Sequence, residues 1–119
     1  MTISADLVHR IVTHLFTPGQ VEHVLADLLL CSASAPPGEQ SRVQVAVLKL
    51  YDEDPKRDLL VWTHAADLDY RDVLLWAEYP SRAQVRNFLD RSPAEQKAMR
   101  AEDRRLLKAW LDRVSQPAT

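Results

Sequence analysis

RVQVAVLKLYD, residues 42–52, is the stretch on which the fold of this 119-residue chain turns. Val43, Val45 and Val47 alternate as in a half-buried strand, while Val43, Ala46, Val47, Leu50 and Tyr51 share one face of a helix. A strand here needs a partner, and DLLVWTH at 58–64 is available to supply one. The turn between the two segments has neither glycine nor asparagine, the residues that tolerate positive φ in a tight hairpin. Asp54-Pro55 reads instead as a capping residue and a first helical position. The segment is therefore expected to be helical and the fold an all-α compact bundle of five to seven helices. The alternative is an α+β fold with a β-hairpin at about 43–64.

Proline placement extends the helical reading along the chain. Thr17-Pro18 and Ser92-Pro93 also pair a capping residue with proline, which has no N–H to leave unsatisfied in a first turn. Thr17 with Gln20, and Ser92 with Glu95, match the capping box. Ile3, Leu7, Ile11 and Leu15, with Val8, Val12 and Phe16 beside them, predict a helix from about 4 to 16. Val21, Val24, Leu25, Leu28 and Leu29 predict an apolar stripe on a second, from about 18 to 31, with Glu22, His23 and Asp27 facing away. SASAPPGEQS, 32–41, is a connection. A helix over 81–90 and a last one over about 93–114 follow. Leu106, Leu107, Trp110, Leu111 and Val114 form a stripe in the second half of that last helix. Its first half has only alanines and Met99, so it is expected to project from a single domain spanning 1–119.

VQVAVLKLYD, followed about twenty residues later by DYRDVLLWAEYP, resembles a small bacterial all-helical family of unknown function. The resemblance covers roughly 42–80 and implies helices, with no activity, ligand or functional residue attached. Residues from 81 onward fall outside it.

Composition narrows the function classes. Hydrophobic residues make up 46% and charged residues 27%, so the chain can bury a core and is not disordered as a whole. No apolar run approaches the roughly 18 residues of a membrane helix, and Asp6, His9 and Arg10 interrupt the N-terminus, unlike a secretory signal; the expectation is a cytoplasmic protein with no membrane partner. Cys31 is the only cysteine, which excludes an internal disulfide and any paired-cysteine zinc site. With Gly19 and Gly38 the only glycines, neither a dinucleotide-binding turn nor a P-loop fits the chain. No cofactor is expected.

Catalytic patterns are sparse. The closest histidines, His9 and His14, are five apart and about 140° round a helix. Asp52, Glu53, Asp54 and Asp58 lack the spacing and glycine of a calcium loop and read as a solvated turn with a helix start. Cys31 reads as a small buried hydrophobe, a nucleophile only if folding brings a histidine to it. His64 with Asp67, Asp69 and Asp72 is the nearest approach to a hydrolase group, though Asp69 reads better as a helix N-cap and Asp72 as its first-turn companion. No catalytic or metal-binding residue is assigned.

Two segments suggest binding. In DYRDVLLWAEYP, 69–80, Tyr70, Val73, Leu74 and Ala77 make a core face, leaving Leu75, Trp76 and Tyr79 over. Either this helix is buried on several sides and the three belong to the core, or Trp76, Tyr79 and Pro80 are the anchors of a partner surface, rimmed by Arg71, Glu78 and Arg82. Residues 1–80 hold 6 Lys or Arg and 12 Asp or Glu, whereas 81–119 hold 9 and 5. Lys97, Arg100, Arg104, Arg105 and Lys108 are the alternative, a nucleic-acid contact, with Glu95, Glu102, Asp103 and Asp112 interspersed. The expected function is a non-enzymatic protein-interaction or self-associating helical module. A nucleic-acid-associated regulatory protein is the second reading and a hydrolase around His64 and Asp67 the third. A far-ultraviolet circular dichroism spectrum dominated by helix is expected; a substantial strand component would overturn the assignment of 43–64.

Overall fold

The computed structural model describes residues 3–84 and 88–116. Six α-helices follow in order: α1 Ala5–Leu15, α2 Val21–Cys31, α3 Gln40–Glu53, α4 Leu59–Glu78, α5 Pro80–Gln84 and α6 Pro93–Val114. Single 3₁₀ turns at Pro18–Gln20, Pro37–Glu39 and Phe88–Asp90 link them, and the described residues form no strand. None of their helices is long and apolar enough to cross a membrane.

The ambiguity of RVQVAVLKLYD has a structural cause. Residues 43–50 of α3 are all buried, because α1, α2 and α4 pack round it. A helix enclosed on every side needs apolar residues on opposite faces, so Val45 and Leu48 are buried as deeply as Val43 and Val47. That demand wrote a strand-like alternation into a helix. Burial outweighs the few tenths of a kcal/mol that each β-branched residue gives up in helix propensity.

The buried polar groups on α3 are satisfied. Gln44 Nε2 donates to Ser32 Oγ (2.9 Å), whose hydroxyl donates to the Leu28 carbonyl (2.8 Å). Lys49 pairs with Glu53 one turn on. Arg42 donates from Nε and Nη2 to the two carboxylate oxygens of buried Glu78, at 2.7 and 2.5 Å, clamping the start of α3 to the end of α4. Glu78 raises the Arg42 pKa further, chiefly through these hydrogen bonds. Near the other end of α3, Trp110 Nε1 on α6 donates to Asp52 (2.8 Å), which also takes Arg113 (3.3 Å).

Several boundaries follow the expected chemistry. Ser4 Oγ accepts from Leu7 N–H at the start of α1, and Ser92 Oγ from Glu95 N–H at the start of α6. Asp69 has extended backbone (φ −157°, ψ 97°) inside α4, and its Oδ1 accepts from Arg71 N–H (3.0 Å). It therefore N-caps the second half of a helix broken at that point. Val73, Leu74 and Ala77 are buried and Tyr70 half-buried, the face read from the sequence.

Three expectations are corrected. Asp54-Pro55 does not start a helix: Asp54 N–H donates to the Leu50 and Tyr51 carbonyls as the C-cap of α3, and α4 begins after Asp58, whose Oδ1 accepts from Leu60 N–H. Proline disfavours helical backbone in the residue before it, so Asp54-Pro55 ends one helix instead of starting the next. A helix over 81–90 is replaced by the short α5 and the 3₁₀ turn at Phe88–Asp90, with 85–87 outside the described residues. Gln96 Nε2 gathers the carbonyls of Phe88, Leu89 and Arg91 (3.1 to 3.3 Å), holding that turn against α6. The core stripe of α2 is centred on Val24, Leu28 and Cys31, so Leu29 points outward.

Leu48 is wholly buried and Leu68 is 73% exposed. In chemical denaturation Leu48→Ala should cost about 2 to 5 kcal/mol and Leu68→Ala within about 0.5 kcal/mol. Equal losses would contradict the central position of α3.

Candidate functional site

The surface between α2 and the first half of α4 departs most from an ordinary exterior. Leu59, Thr63 and Ala66 turn α4 inward, which leaves Leu60, Val61, His64, Asp67 and Leu68 as its outward arc. Three of those five are large hydrophobes, with Leu60 59% and Leu68 73% exposed. Across an open groove stands Leu30 of α2, 73% exposed, with Leu29 exposed beside it. LLLC at 28–31 covers more of the helix circumference than one core contact can absorb, and the surplus faces out. Asp27 and Asp67 put carboxylates along the same groove, and Cys31 and Thr63 lie beneath. Asp27 also meets His23 at 3.4 Å, the i, i+4 pairing its spacing allows.

Folding does bring Cys31, His64 and Asp67 to one groove. The state of the thiol opposes a cysteine nucleophile. The thiol is 3% exposed and donates to the Leu28 carbonyl (3.3 Å). Burial first, then the Asp67 carboxylate, pushes its pKa up from 9.0 to about 11, so the reactive thiolate is suppressed near neutral pH. The acidic stretch at 52–58 is dispersed among structural partners: Asp52 to Trp110 and Arg113, Glu53 to Lys49, Asp54 to Arg57, and Asp58 to the α4 terminus. Among the described residues no group of three His, Cys, Asp or Glu side chains is placed to hold a metal ion.

The aromatic stretch is more deeply embedded than its composition suggests. Trp76 is 37% exposed, while Tyr79 and Pro80 are half-buried at the corner between α4 and α5. Tyr79 N–H donates to the Leu75 carbonyl, and its own carbonyl accepts from Arg82 and Ala83 N–H. Glu78 is taken up by Arg42, and Arg71 by Asp69 (3.3 Å); Arg82 is exposed.

On α6 the helix separates charges that alternate in the sequence. Lys97, Arg100, Arg104 and Lys108, spaced three, four and four apart, form one exposed stripe. Three of the acids lie elsewhere: Glu95 meets Arg91 (3.5 Å), Glu102 holds Arg105 at 2.6 and 2.8 Å, and Asp103 is buried, accepting from Ser81 N–H and hydroxyl (3.3 and 2.8 Å); Asp112 stands exposed one turn beyond Lys108. Arg105 is therefore paired off the stripe, its pKa raised and that of Glu102 lowered by their hydrogen bonds. None of the four stripe cations has an ion-pair partner among the described residues. The signal that finds the stripe is the helical register, which becomes certain only once α6 is continuous from Pro93 to Val114.

Cys31 should react slowly with a thiol reagent near neutral pH until the chain is denatured. Its raised pKa also has a sign for stability. Between pH 9 and 11 the unfolded thiol loses its proton while the folded one keeps it, so stability falls as pH rises through that window. The urea midpoint should drop more steeply there for the wild type than for Cys31→Ala; parallel curves, or rapid native labelling, would show an accessible thiol.

No family model matches the chain, and neither the curated proteins nor the solved structures compared with it give a match, so what it does is read from its own surface.

Proposed function

We propose that the chain is a non-enzymatic protein-interaction module whose α2–α4 face receives a helix from another chain. The observation that carries this reading is the outward arc of α4, where Leu60 stands in water across the groove from Leu30 of α2 and Val61 and Leu68 extend the exposed apolar surface along α4. Each costs hydration free energy when left uncovered, and exposed apolar side chains gathered on one face mark interaction sites, whereas isolated ones are ordinary. A groove between two helices, with apolar walls and polar ends, suits the apolar or aliphatic face of a third helix. The suppressed Cys31 thiolate weighs against a cysteine nucleophile in this groove. A second reading, a nucleic-acid-associated protein, is favoured by one observation, the exposed cationic stripe of α6 from Lys97 to Lys108.

The test is the triple replacement Leu30→Ser, Leu60→Ser and Leu68→Ser. As docking residues they should leave helix content and thermal midpoint unchanged or improved while abolishing association, whether self-association or cross-linking to a partner through a photoreactive residue placed at position 64. If association is unaltered, or the triple variant loses about 2 kcal/mol or more per site as core leucines would, this face is not the docking surface.

A further inference from the structure

We infer that the helix received by the α2–α4 groove is α6 of a second copy of this chain, presented through its stripe Lys97, Arg100, Arg104 and Lys108. The inference rests on the docking reading above and names its occupant. Charge complementarity carries it. The groove offers the carboxylates of Asp27 and Asp67 beside Leu30 and Leu60; Asp27 also faces His23 at 3.4 Å, whereas Asp67 is exposed and has no ion-pair partner among the described residues. The α6 stripe offers four cations from 97 to 108, with Asp112 the one carboxylate at its C-terminal end. Long cationic side chains suit such a groove, because their methylene stems cover leucine surface while their heads reach the carboxylates at its edges.

Dimensions agree. At 1.5 Å per residue the stripe from 97 to 108 is about 16 Å long, and the apolar arc of α4 from 60 to 68 about 12 Å. Access agrees as well. Between Pro93 and Glu102 only Gln96 and Met99 are half-buried, so this part of α6 is the more exposed half of the helix, while Trp110 and Arg113 further along reach Asp52 of α3. Each chain carries one groove and one stripe, so the pair we infer is the two-fold one in which two copies exchange them and satisfy both contacts at once. The stripe lacks a flanking exposed aromatic for stacking nucleic-acid bases, which leaves duplex phosphate as its competing ligand.

The experiment is a charge swap read by molar mass in solution, with helix content checked for every variant. The wild type should weigh as a dimer at low salt and shift toward monomer as salt is raised to about 1 M, where the screening length is about 3 Å. Lys97→Glu with Arg104→Glu should be monomeric, and so should Asp27→Lys with Asp67→Lys, because each makes groove and stripe repel. Mixed together, the two variants should recover the dimer mass, since each then meets an opposite partner at both contacts. Should the charge changes in the groove impair folding, the salt dependence of the wild type and the stripe variant still decide. A wild type that stays monomeric up to about 0.1 mM, weaker than most specific pairs, overturns the inference, as does a dimer that neither charge set disturbs. A monomer that retains duplex DNA through the stripe assigns those cations to phosphates and overturns it too. Loss of a different partner from the leucine variant, with a monomeric wild type, would sink the second copy while sparing the docking face.

Discussion

Enclosing α3 on every side puts Gln44 and Lys49 where water does not reach, and the bundle depends on how those two are accommodated. A buried amide without a partner costs roughly 1 to 3 kcal/mol, and an unpaired ammonium more. Gln44 reaches Ser32 at the end of α2, so its hydrogen bond also fixes the direction in which the chain leaves that helix. Lys49 leans along its own helix to Glu53, at the margin of the core. With both accounted for, the valines and leucines between them can be covered by three other helices. The Arg42–Glu78 clamp then sets how the second half of α4 lies against α3.

Much of this was legible in the sequence, for reasons that can be named. The helices at 5–15 and 93–114 announce themselves by a cap and a periodic face, both local properties. Asp69 was legible as a cap because a short polar side chain before an apolar run has few other roles. Asp54-Pro55 misled because a capping residue and proline also mark a helix end, and only the position of Asp58 separates the two cases. The 81–90 region misled because a glutamine in the next helix, Gln96, gathers its carbonyls, a contact no local pattern encodes.

The candidate surface was less legible than the fold. Aromatic content drew attention to 69–80, yet Tyr79 and Pro80 serve the corner between two helices, and Glu78 serves Arg42. Leu30, Leu60 and Leu68 attracted none, since leucine in a helix is by default read as core. Which leucines are surplus depends on where neighbouring helices stop covering them, and that is a property of the assembled bundle. The cations of α6 do stand out in the sequence, but Arg105 groups with them there, and only the helical turn separates it, paired with Glu102, from the other four.

The bond from Trp110 to Asp52 joins positions 58 apart, so it forms only after the chain between them has been brought into a closed loop. Closure of so long a loop carries an entropy cost that the adjacent pair α3 and α4, separated by the five residues 54–58, largely avoids. The bundle is thus arranged as a locally connected nucleus and a late-docking helix. Such a helix is also the first to let go: opening at the Asp52 and Ser81 attachments frees α6 without exposing the enclosed face of α3 to α2 and α4. Its release would uncover Trp110, Leu111 and Val114, the apolar surface by which α6 joins the core.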